Sequence, residues 1–270
     1  DTKEESRLRP KFPWEYSSEH QRQISNGKGM KSLLRSPDKF EYTVGIVSGD
    51  YMDDISRCIQ SLLKWSKGLS IQVLVLDNGC WATSGKLLDN LACANESLSV
   101  IHADHKLGEA MAKNILINQS QGGTILMLDS CVEIVGDIFR PIDALLKNEK
   151  IGMVGPYGLR TEDLQHFYEY ENGAIAAVDA VQAYCFAFKR KNVVEVGLMR
   201  ESFRFYRNLD IDYSFQFKDR GFQVCVDLTL PVVRHEHRIW SELGANEREE
   251  LSLNNFRRVI KKWGNRTDLL

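Results

Sequence analysis

Apolar residues follow two rhythms along this chain. Short continuous runs (YTVGIV at 42–47, IQVLVL at 71–76, LSVIH at 98–102 and TILML at 124–128) have the pattern of parallel strands buried on both faces. Between them the apolar spacing lengthens to three and four. Asp53 and Asp54 open a predicted helix carrying Ile55, Ile59, Leu62 and Leu63 on one face, and Gly68 ends it. Further helices are predicted over 83–95 and from Gly108 to about Gln119. Strand–helix alternation of this kind predicts an α/β fold with a Rossmann-type, mostly parallel sheet flanked by helices.

After Pro141 the alternation loosens. IGMVGP (151–156), VQAYCFAFK (181–189) and FQVCVD (222–227) read as strands of a smaller mixed-sheet region, and a helix near Asp212–Arg220 stops at Gly221. The tail LSLNNFRRVIKKWG (251–264) reads as an amphipathic helix with Leu253, Phe256, Ile260 and Trp263 on one face. Packing of that face on the domain is the preferred reading. The alternative is peripheral contact with an anionic membrane surface through Arg257, Arg258, Lys261 and Lys262. Residues 1–40 are polar and aperiodic, broken by Pro10, Pro13 and Pro37, and read as an extension or linker; KFPWEY (11–16) could dock by its aromatics. The expected organisation is therefore an extension over 1–40, a domain over 41–240 and a C-terminal helix within 241–270.

Composition narrows the function. With 35 Lys and Arg against 37 Asp and Glu the net charge is −2, so no basic footprint points to nucleic acid. No apolar run approaches the roughly 20 residues that span a bilayer, and no signal-peptide pattern is read. The six cysteines are dispersed, without a CxxC pair or zinc-like spacing, which predicts reduced thiols and a cytoplasmic protein. The chain opens at Asp1 without Met, so a segment of a longer protein is expected.

Candidate chemistry lies at the strand ends, where doubly wound sheets bind ligands. Those ends carry Ser48-Gly49-Asp50, Asp77-Asn78-Gly79, Asp104 and Asp129. Each acid alone is commonly a turn or cap residue; four such ends together predict a ligand cleft.

Six segments in order resemble the family 2 glycosyltransferases of GT-A fold, from about Tyr42 to His237. VGIVSGDY and VLVLDNG resemble the first two nucleotide-binding strands, and HKLGEAMAKNILI the loop and helix of the type Gly-x-Ala-x-Ala-Arg-Asn. ILMLDSCVEI stands where the Asp-x-Asp strand belongs, FRFYRNLDIDYSFQFKDRGF (203–222) resembles the segment with the catalytic base, and VVRHEHR falls where relatives place a metal-ligating His. The resemblance implies a nucleotide-sugar donor, an acceptor hydroxyl on a sugar, lipid-linked or protein acceptor, and inverting displacement, as in cell-surface polysaccharide synthesis. It implies Asp210 as general base, with Ser48, Gly49, Asp50, Asp77, Asn78 and Lys113 on the nucleotide. It further places Asp129, Cys131, His235 and His237 about the diphosphate or its Mn²⁺ or Mg²⁺. Asp212, which reads as the N-cap of its helix, and Tyr184 fall on the acceptor side.

Departures from the pattern sharpen the question. Leu209 replaces the family's Glu, Cys80-Trp81-Ala82 follows Asn78-Gly79, and Asp129-Ser130-Cys131 replaces Asp-x-Asp. A neutral thiol is a poor ligand for a hard cation, so Lys113, Arg234 or Arg238 are alternative partners for the leaving group. The other readings are a catalytically silent nucleotide- or sugar-binding module and a nucleotidyltransferase.

Overall fold

The computed structural model describes the backbone of residues 21–24 and all of residues 32–80 and 84–270. The KFPWEY segment lies outside them. A strand that the pattern did not predict, β1 (Gln21–Ile24), comes first; the chain then alternates as predicted through β2 (Phe40–Ser48), α1 (Met52–Trp65), β3 (Ile71–Asp77), α2 (Lys86–Ala94), β4 (Leu98–Ala103), α3 (Glu109–Gln119) and β5 (Gly122–Asp129). Then come β6 (Val132–Ile134), α4 (Phe139–Leu146), β7 (Ile151–Gly155), β8 (Gly158–Arg160), β9 (Tyr168–Tyr170), β10 (Ile175–Val178), β11 (Ala180–Val181) and β12 (Cys185–Lys189). The chain closes with α5 (Val193–Val196), α6 (Leu209–Asp219), β13 (Gln223–Asp227), β14 (Val232–Arg234), α7 (Arg238–Glu242) and α8 (Ala245–Trp263).

A nine-stranded sheet runs β1-β4-β3-β2-β5-β12-β7-β13-β10. β2 pairs in parallel with β3 on one side and β5 on the other, so the winding reverses at β2. β12 inserts antiparallel between β5 and β7. All seven residues of β3 are buried, as a continuous apolar run requires. One core packs α1, α2 and α4 on one sheet face through Ile55, Ile59, Leu88 and Phe139; the other packs α3, α6 and α8 through Leu116, Phe215 and Trp263. The strand β1 extends the sheet along β4. Residues 33–38 are tied to the domain by buried Arg190, which donates to the Leu33 carbonyl at 2.9 Å, the Ser120 carbonyl at 3.0 Å and Asp38 at 3.0 Å.

Three sequence expectations shift. The strand predicted over 181–189 is divided into β11 and β12 at 182–184, where the Gln182 N–H donates to the Tyr157 carbonyl at 2.8 Å and the Ala183 N–H to Asp210 at 3.3 Å. The helix predicted from Asp212 starts three residues earlier, behind Asn208 in the left-handed region at φ 65°. The tail helix starts at Ala245 and buries Asn255, Val259 and Trp263, leaving Leu253 42% exposed. Of the predicted apolar face only Trp263 is buried, while Phe256 and Ile260 are half-buried. No helix among the described residues is long and apolar enough to cross a membrane.

The predicted N-cap and acceptor-side role of Asp212 is corrected as well. Asp212 lies inside the first turn of α6 and is fully buried, with no access to a cleft. Its carboxylate accepts both Nε (2.9 Å) and Nη2 of Arg200, Trp263 Nε1 at 2.7 Å and Gln216 Nε2 at 3.3 Å. This joins α6 to α8 and to the segment before α6. Breaking a buried pair strands the remaining charge. Asp212→Ala is expected to lower unfolding free energy by about 3 kcal/mol, and Asp212→Asn, which still accepts from Trp263, by less. Urea denaturation measures both; equal, negligible losses would refute the assignment.

Candidate active site

Ligand space opens where the sheet reverses. A cleft of about 490 Å³ is lined by Ser48, Gly49 and Asp50 after β2, Asn78 and Cys80 after β3, and Asp129, Ser130 and Cys131 after β5. Gly79 is required here: it takes φ +76°, and a Cβ would meet the backbone of His105 and Lys106 at 2.6 Å. Asn78 completes the clamp by accepting the Leu107 N–H at 2.7 Å and donating to its carbonyl at 3.3 Å. Together they hold the 104–108 loop so that Lys106 lines the cleft.

Helix α3 forms the floor. Its first N–H groups, on Glu109 and Ala110, donate to the Arg204 and Phe203 carbonyls at 3.0 and 3.1 Å, and Gly108 admits the Arg204 backbone at close range. Asn114 exchanges two hydrogen bonds with the Met199 backbone, at 2.8 and 2.9 Å. These contacts fasten the 199–206 segment across the helix, so that Arg204, Phe205 and Tyr206 also line the cleft.

Lys113, one turn along α3, is buried and bonded to Glu109. Burial opposes its charge, yet the carboxylate of Glu109, with those of Asp129 and Asp210, holds its pKa above that of an ordinary lysine. Asp129 is the counterpart. Burial alone would raise its pKa, but His237, Lys113 and the Cys131 N–H outweigh it and hold the group at about 2. His237 Nε2 lies 3.5 Å from Asp129 Oδ2, and the Cys131 N–H reaches Oδ1 at 2.9 Å. His237 is itself positioned by stacking on Tyr206, with ring centroids 4.2 Å apart, and by the edge of Tyr184.

A second pocket of about 180 Å³ adjoins the cleft and shares Glu109, Lys113, Asp129 and Tyr206 with it. Its own walls include Tyr184, Gln182, Glu169, Arg207 and Asp210. Asp210 accepts the Ile211 N–H at 3.0 Å and the Ala183 N–H at 3.3 Å. Desolvation exceeds these bonds and raises its pKa above the ordinary Asp value. The carboxylate is therefore a stronger base than a surface aspartate while remaining half-buried at the pocket wall.

The structure thus brings together Ser48, Gly49, Asp50, Asn78, Lys113, Asp129, Cys131, Tyr184, Asp210 and His237 about two adjoining pockets. Three predicted site residues fall elsewhere, the buried Asp212 and two more, and one changes role. Asp77 is fully buried and points away from the cleft, accepting the Cys80 N–H at 2.9 Å and facing His102 Nδ1 at 2.9 Å. His235 pairs with Glu133 at 2.8 Å outside both pockets, whereas His237, at the N-cap of α7, lines the cleft. Cys131 lines the cleft, and burial and then the Asp129 charge push its thiol well up, so that without a bound cation it stays neutral. Of the two predicted arginines, Arg238 lines the cleft and pairs with Asp54 at 3.1 Å, whereas Arg234 is held between Tyr157 and Tyr184. Sequence reading missed Lys106, Arg204, Tyr206 and the position of Glu109. The run Phe203-Arg204-Phe205-Tyr206-Arg207, five aromatic and basic residues directly before NLDID, was the available signal.

Among the described residues no group of three or more His, Cys, Asp and Glu could hold a metal ion. Asp129 and His237 supply two donors, which fits a divalent cation that takes its other ligands from a diphosphate. The Trp240 N–H reaches His237 Nδ1 only at 3.4 Å, so moving the ring proton to free Nε2 for a cation sacrifices one long hydrogen bond.

No family model matches the chain. The glycosyltransferase GlyG of Streptococcus pneumoniae is 26% identical over 118 residues, which is 43% of this chain and 39% of that protein. The crystal structure of GalNAc-T7 with UDP, GalNAc and Mn²⁺ superposes with a TM-score of 0.69 at 15% identity, covering 85% of this chain and 49% of that one. The chain therefore spans less than half the length of either relative. These likenesses and the reversing parallel sheet place the chain in the GT-A fold.

Proposed function

We propose that this chain is a glycosyltransferase of the family 2 type, moving a sugar from a nucleotide-sugar donor to an acceptor hydroxyl with inversion. One observation supports the reading above the rest. A cleft lined by Lys106, Lys113, Arg204, Arg238 and His237 beside the carboxylates of Asp50, Asp54, Glu109, Asp129 and Glu242 adjoins a smaller pocket that carries the more basic Asp210, and Asp129 and Lys113 belong to both. A nucleoside diphosphate has the size and charge for the first space, with Ser48, Gly49, Asp50 and Asn78 beneath it. Lys106, Arg204, Arg238 and His237 would meet the negative charge that grows on the leaving oxygen. The acceptor hydroxyl would lie against Asp210, which takes its proton. Asp129 and His237 would hold a divalent cation, which when bound neutralises the leaving diphosphate.

The silent-module reading draws on one observation, the neutral Cys131 thiol where relatives carry a second acid. Such a module binds nucleotide without turnover. Nothing at NLDID serves a nucleotidyltransferase, which needs no acceptor base there.

Two experiments test the reading. In calorimetric titration with UDP, GDP, dTDP and CDP, one nucleotide is expected to bind, tightened by about tenfold or more by Mn²⁺, with the Mn²⁺ effect lost in Asp129→Ala. Binding that ignores Mn²⁺ would remove the cation from the proposal, and no binding would end it. In turnover assays Asp210→Asn is expected to lower kcat by about 10²–10⁴-fold with nucleotide affinity retained. Because the base acts unprotonated and its pKa is raised, wild-type activity should fall with decreasing pH at an apparent pKa above the ordinary ~3.9 of aspartate. An unchanged kcat in Asp210→Asn would favour another base.

A further inference from the structure

The acceptor pocket continues outward. A groove of about 630 Å³ shares Leu159, Phe167, Arg207 and Asn208 with it and extends along α8 to Trp240, Arg248, Leu253 and Phe256. Arg207 and Arg248 both stack on the Trp240 ring, 4.6 and 5.1 Å from its centroid. Neither has a carboxylate within ion-pair distance among the described residues, in contrast to Arg200, Arg238 and Arg266, which are paired. Arg248 spends one N–H on the Trp240 carbonyl at 3.5 Å. Stacking fixes the planes of the two guanidinium groups without consuming their remaining donors, which is the preorganisation that anion recognition needs. Glu249 also lines the groove, leaving it a net positive charge.

Asn208 couples this groove to the base. Its Nδ2 donates to the Ser252 carbonyl of α8 at 2.9 Å, and it caps α6 two residues before Asp210. The floor formed by Phe167, Leu253 and Phe256 is apolar, with the Phe rings edge to face at 6.2 Å. Flat apolar faces beside unpaired guanidinium groups match the ring faces and charged substituents of a sugar chain.

We infer that the acceptor is an anionic saccharide: its reacting sugar sits at Asp210, and the next sugar presents a carboxylate or phosphate to Arg207 and Arg248. The inference rests on the glycosyltransferase reading above. It is tested by calorimetry on the full chain loaded with the nucleoside diphosphate it binds, using two disaccharide pairs, cellobiose with cellobiouronic acid and trehalose with trehalose 6-phosphate. At least one anionic member should bind about tenfold more tightly than its neutral partner, and which pair responds distinguishes carboxylate from phosphate. The difference should vanish in Arg248→Gln, survive in part in Arg248→Lys, and shrink in about 0.5 M salt. Equal affinities within both pairs would overturn it, as would a preference that persists in Arg248→Gln. Tighter binding of an acidic hexapeptide than of any saccharide would overturn it too. Failure of the nucleotide titration would sink both readings, whereas nucleotide binding with indifferent disaccharides sinks this one alone.

Discussion

The site is organised around one buried cation. An ammonium group beneath a cleft is stable only with anions beside it, and Lys113 draws on three that arrive from different elements. Glu109 comes from its own helix, Asp129 from the end of β5 and Asp210 from the start of α6. These carboxylates belong to the two adjoining pockets, so one charge balance joins the space for a diphosphate to the space for an acceptor. The opposite shifts of Asp129 and Asp210 follow from their places in it. Asp129 has His237 in addition and stays ionised far into acid, while Asp210 has chiefly N–H donors against its burial and becomes the more basic group.

That balance requires the elements to stay in register. Asp129 is fastened at its N–H to the Tyr184 carbonyl, which ties β5 to the antiparallel β12. The 199–206 segment is held on α3 by Asn114 and by the carbonyls of Phe203 and Arg204, and it carries Tyr206 to its stack on His237. Asp212 anchors the other end by drawing Arg200 and Trp263 together beneath α6. Buried polar groups here act as positioning devices: each satisfies a desolvated partner, and each fixes a segment that reaches the cleft.

Much of this was legible in the chain. Continuous apolar runs at 42–47, 71–76 and 124–128 marked β2, β3 and β5, because strands covered on both faces admit few polar residues. Asp129 was singled out by type and position, as a strand-end acid, and Asp210 only through the family resemblance of its segment. Asp77 shows where such reasoning stops. It has the same strand-end context as Asp129, yet its side chain turns inward to His102, 25 residues away. His235 and His237 likewise share one short polar stretch, and only pairing of β14 with β6 settles which of them faces the cleft.

Sequence by itself determined the strand–helix alternation from β2 to β5, the mostly parallel sheet, and the residue types at the strand ends. These follow from local periodicity and from the need to cover a sheet on both faces. Tertiary structure alone decided which acids meet a ligand and which are spent on packing. It turned Asp212 from a cap into a buried anchor, left Cys131 a neutral thiol, and assembled Lys106, Arg204, Tyr206 and His237 from three separate segments. The reason is physical: burial, pKa and pairing are set by neighbours far along the chain, and local pattern carries no record of them.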